Sequence, residues 1–95
     1  MIPVNGVRGE VAVVLAGADR RLCLTLGALA EIETALGLQG LEGLGGRMRV
    51  LSASDLGRVL AALLRGGGED ADLALRAGPA EAARAIVSAF EAAAR

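Results

Sequence analysis

The chain has 95 residues and a formal net charge of −1, which fits one small domain and gives no electrostatic drive toward nucleic acid or an anionic membrane. Hydrophobic residues make up 54% of it, yet Phe90 is the only aromatic, so the core must be Leu, Val, Ile and Ala, with no platform for stacking a base or a sugar. There is no His and a single cysteine, Cys23, which removes the usual general base and metal ligand and excludes an intramolecular disulfide.

Met1–Arg8 reads as a lead-in, broken by Pro3, Asn5 and Gly6. Glu10–Leu15 alternates with period 2 and is rich in Val, the signature of a strand. A reversal at Ala16–Asp19 leads into a second strand, so that a hairpin spans 10–26. A type II′ turn centred on Gly17-Ala18 sets Val13 opposite Leu22 and Val11 opposite Leu24. Val11, Val13, Leu15, Leu22 and Leu24 then form the core face; Cys23 falls on the other, semi-buried. A lone hairpin is marginal in water, so helices must cover it.

The first helix is expected over about 26–36, with Thr25 as N-cap, Gly37 as the residue that ends it, and Leu26, Leu29, Ile32 and Leu36 on one face. Glu33 lies at the margin of that stripe. Gly37–Gly46 repeats Gly-Leu every three residues, a rhythm that suits neither strand nor stable helix, and reads as a loop or one loose turn with Leu38, Leu41 and Leu44 partly tucked in. Arg47–Leu51 reads as a connector or a short third strand. A helix over 53–65 opens at Ser52 or Ser54, carries Asp55 in its first turn and presents Leu56, Val59, Leu60, Leu63 and Leu64 on one face. Gly66-Gly67-Gly68 ends it as a flexible connection. Glu69–Ala77 is a short segment with helical character. The last helix, over 79–94, starts at Pro79 and places Ala83, Ile86, Val87, Phe90 and Ala94 on its apolar face.

No catalytic constellation emerges. Cys23 lacks a base to populate its thiolate. The glycine clusters lack the GK[ST] of a phosphate loop, and Gly66–Gly68 runs into Glu69, Asp70 and Asp72, which repel phosphate. Those three acids lack the ligand spacing of a calcium loop. The expectation is therefore no catalytic, cofactor or metal residue, and a binding or assembly module. The candidate partner-binding residues are Glu33, Leu38, Leu41, Leu44, Leu60 and Leu64, with core as the default assignment for the leucines of the 53–65 helix.

The segments Arg8-Gly-Glu-Val, Arg21-Leu-Cys-Leu-Thr-Leu-Gly-Ala-Leu-Ala-Glu-Ile-Glu, Leu51-Ser-Ala-Ser-Asp-Leu and Leu64-Arg-Gly-Gly-Gly resemble the tail-assembly-chaperone family of phages and gene transfer agents, over about Gly9–Ala94. The resemblance implies a non-enzymatic role in tail morphogenesis, in which such proteins hold the tape-measure protein soluble while tail-tube subunits polymerise around it. Some relatives are labelled tail-tube components, which keeps a structural tail protein as the alternative; a small homodimeric adaptor is a third. The implied partners are the tape-measure and tail-tube proteins, with self-association left open and neither nucleic acid nor membrane expected. The absence of a signal-peptide pattern and of an apolar run of roughly 20 residues points to the cytoplasm, with the tail particle as the alternative. The expected architecture is α+β: lead-in 1–8, then one small domain over 9–95, an N-terminal β-hairpin packed on three to four helices.

Overall fold

The computed structural model describes residues 6–38, 43, 46–47 and 50–94. A turn of 3₁₀ helix, Gly6–Arg8, leads into β1 (Glu10–Leu15) and β2 (Ala18–Cys23), an antiparallel pair. Helices α1 (Leu26–Leu36) and α2 (Ala53–Gly66), a 3₁₀ segment (Ala71–Arg76) and α3 (Pro79–Ala93) follow. This is the α+β arrangement expected, a hairpin covered by helices in one small domain. The sheet formed by the described residues has two strands. Arg47 sits in a helical turn and Val50 in a bend.

The hairpin register differs from the expected one. Leu15 pairs with Ala18, so the turn is centred on Ala16-Gly17, and Val11 rather than Val13 faces Leu22. Both central residues have positive φ, 51° at Ala16 and 82° at Gly17, as a type I′ turn requires. That turn matches the right-handed twist of the strands, and the match outweighs the strain of placing an alanine there. The slip is by two residues, so the inward set is unchanged. Leu15 and Leu22 are fully buried, and Val11, Val13 and Leu24 pack against the same core. Cys23, expected to be semi-buried, is fully buried.

The caps fall where their chemistry puts them. Thr25 Oγ1 accepts the Ala28 N–H at 3.0 Å and starts α1. Gly37, in the left-handed region at φ 69°, ends it, with the Leu38 N–H returning to the Glu33 carbonyl at 2.8 Å. Ser52 caps α2 reciprocally: its Oγ accepts the Asp55 N–H at 3.1 Å, and Asp55 Oδ2 accepts the Ser52 N–H at 3.4 Å. Arg47 adds a contact to Asp55 at 3.1 Å. Burial raises the Asp55 carboxyl, but the hydrogen bonds from Arg47 and Ser52 outweigh it and hold the group below its usual value of 3.8.

The core is where α2 meets both the hairpin and the other helices. Val59, Leu60, Leu63 and Leu64 of α2 join Leu15, Leu22, Ile32 and Ile86, all fully or almost fully buried. Two helix faces depart from expectation. On α1, Leu26 is 83% exposed while Ala28, Ile32 and Leu36 are buried. On α3 the buried face is Ala82, Ala85, Ile86, Ala89 and Ala92, whereas Ala83, Val87 and Ala94 face outward. Small residues win the inner face of α3 because the helix packs close on β1 and α2; at Gly9, just before β1, a Cβ would stand 3.3 Å from the Ala93 Cα.

The glycine run at the end of α2 is not the flexible connection expected. A Cβ on Gly66 would sit 2.1 Å from the Cys23 carbonyl oxygen, and one on Gly67 2.2 Å from that of Arg21. The C-terminus of α2 therefore lies directly on the β2 backbone, a distance only glycine permits. Just beyond, Glu69 Oε2 accepts the Arg21 N–H at 2.9 Å, and the Glu69 N–H closes α2 on the Leu64 carbonyl at 2.8 Å. The outer edge of β2 is thus covered.

Candidate functional site

Two surface concavities stand out. The first, of about 470 Å³, lies between α1, α2 and the 3₁₀ segment. Ala35, Gly57, Ala61 and Ala74 line it with little side chain, and Arg58, Arg65, Glu31 and Asp72 add charge. Leu75 stands on it 85% exposed. The 3₁₀ geometry explains Leu75: Leu73 is buried, and a residue two places further along so tight a turn points away from the core. Glu31 and Arg65 tie α1 to α2 here, Arg65 Nε donating to Glu31 Oε2 at 2.9 Å. That hydrogen bond holds the Arg65 guanidinium above its ordinary pKa. Both side chains remain wet, so the pair contributes little to stability and serves to fix the groove's charge pattern.

The second concavity, of about 460 Å³, lies between β1 and α3, lined by Ala12, Val13 and Val14 on the strand and Glu81, Arg84, Ala85 and Ser88 on the helix. Val14, 61% exposed, is at its lip.

Of the residues singled out from sequence, those the structure describes do not gather in either concavity. Glu33 is half-buried on α1, and Leu38 is half-buried against the core just after the α1 cap. Leu41 and Leu44 lie outside the described residues. Leu60 and Leu64 are fully buried, so in this fold they belong to the core and present no area to a partner; their helical spacing is that of a core stripe. Sequence reasoning misses the groove residues because Ala and Gly carry no periodic hydrophobic signal strong enough to mark a surface. It misses Leu75 because that segment is too short to show one.

Cys23 is shielded. Its Sγ donates to the Arg8 carbonyl at 3.5 Å, and burial pushes the thiol pKa up, against the pull of Arg8. Burial of this kind disfavours the thiolate. Among the described residues no cluster of His, Cys, Asp or Glu could hold a metal ion, and no helix is long and apolar enough to cross a membrane.

The class this defines is a small α+β domain with a glycine-docked hairpin and two open grooves. Residues 8–95 match the family described as phage tail tube protein, GTA-gp10, and the chain belongs to that family of phage and gene-transfer-agent tail proteins. Comparison with curated proteins and with solved structures gave no match.

Proposed function

We propose that this protein is a non-enzymatic tail-morphogenesis factor, acting in the cytoplasm as an assembly chaperone that binds the tape-measure protein, the tail-tube protein or both. The observation that carries the tail-morphogenesis part of this reading is the family match over 8–95, nearly the whole chain. The groove between α1, α2 and the 3₁₀ segment supports it. Its small-residue lining allows a client helix to approach closely, and Leu75, exposed at no benefit to the monomer, supplies an apolar anchor.

A structural tube component is the second reading, favoured by the family's description. Quantitative mass spectrometry of purified particles separates the two. The chaperone reading expects the chain in assembling lysates and its absence from finished tails; stoichiometric presence in tails would establish the structural reading instead.

A further inference from the structure

The hairpin has one covered edge and one open edge. The two-residue turn makes Leu15 and Ala18 a hydrogen-bonded pair, and such pairs alternate along an antiparallel ladder. Asp19, Arg21 and Cys23 therefore direct their backbone groups away from β1. The structure bears this out: the Arg21 N–H meets Glu69, and the Arg21 and Cys23 carbonyls face Gly67 and Gly66. By the same alternation, Ala12 and Val14 direct their N–H and C=O groups away from β2. That edge opens on the concavity beside α3, and among the described residues no hydrogen bond reaches Ala12 or Val14 from another element. The edge carries no charge at its centre and Val14 on it is 61% exposed; an unpaired edge of this kind is a template for pairing.

The adjoining face of α3 is unpartnered in the same direction. Arg84 and Ser88 line both the β1 concavity and a shallower one formed with Ala83 and Val87. Val87 is 55% exposed, so Val14 and Val87 flank one continuous surface. Arg84 and Glu91 are exposed on this helix, and neither has an ion-pair partner among the described residues.

We propose that the β1 edge and the outer face of α3 form a self-association surface that joins two copies of this chain across a two-fold axis. The occupant is set by complementarity. An antiparallel strand pair built from two copies of the same edge opposes Ala12 and Val14 to one another, without like charges. A two-fold axis beside Val87 brings Arg84 of each copy to Glu91 of the other, twice over, while Ala83 and Val87 supply the apolar contact. The product is one four-stranded sheet with a helix from each copy alongside, which also relieves the marginality of a two-stranded sheet. This surface is separate from the α1–α2 groove and does not depend on the tail reading.

Sedimentation equilibrium of the full chain across the micromolar range tests it. Wild type is expected to be a dimer. Arg84→Glu, which turns both cross-contacts repulsive, should weaken the dimer by roughly tenfold or more, and the double variant Arg84→Glu/Glu91→Arg should restore it. Both side chains are exposed, so the fold tolerates the changes, and circular dichroism confirms that each variant is folded. A wild-type chain that stays monomeric, a dimer indifferent to Arg84→Glu, or a loss that the double variant fails to rescue would each overturn the proposal. So would a monomer whose β1 edge instead takes up a strand of a tail protein.

Discussion

Ala16 holds a backbone conformation that costs a non-glycine residue roughly 1 kcal/mol, and it does so because the type I′ turn needs positive φ at both central positions. Ala16→Gly or Ala16→Asn relieves that strain, and thermal unfolding should show a gain of about 0.5–1 kcal/mol. Asp55 gives a pH signature. Its folded-state pKa lies below 3.8, so its contribution is complete above the ordinary carboxylate range and is lost as pH falls through the depressed value. The stability difference between wild type and Asp55→Asn should accordingly be constant near neutrality and vanish at strongly acid pH; a difference that persists there would show that the charge is not what matters. Residue-scale features of this kind are legible in the amino-acid order itself. Thr25, Gly37 and Ser52 act within a few residues of themselves, and local chemistry is what sequence displays best.

At the scale of elements, the decisive contact is between the end of α2 and the β2 backbone. Gly66→Ala places a methyl 2.1 Å from the Cys23 carbonyl oxygen, and neither backbone has room to yield. Urea unfolding should show a loss of roughly 3 kcal/mol or more, whereas Gly57→Ala, in open space on the same helix, should stabilise by about 0.5–1 kcal/mol through helix propensity. This contact is not legible in the sequence. A run of three glycines signals freedom when read locally, and only the arrival of a strand more than forty residues away in sequence turns it into a docking point. The facing of α3 is hidden for a related reason. Alanine occurs all round that helix, so periodicity draws the larger Val87 inward, while close packing against both β1 and α2 selects Ala82, Ala85, Ala89 and Ala92. The hairpin slip is invisible in the faces, since a two-residue shift leaves every side chain on its side.

At the scale of the whole molecule, the core is complete without the groove between α1, α2 and the 3₁₀ segment. Leu75 stands outside it, 85% exposed, on a fold that belongs to a family of tail proteins. The sequence is therefore only partly readable: membership of a tail-protein family is legible through the resemblance, but the groove is not, because it is assembled from small residues on three separate elements. The most direct test is to purify the chain with its tape-measure and tail-tube proteins co-expressed, for wild type and for Leu75→Glu. The account predicts a stable complex with wild type and at least about a tenfold weaker one with the variant, whose unfolding free energy stays within roughly 0.5 kcal/mol of wild type. A chain that binds neither protein, or a complex untouched by Leu75→Glu, would contradict it.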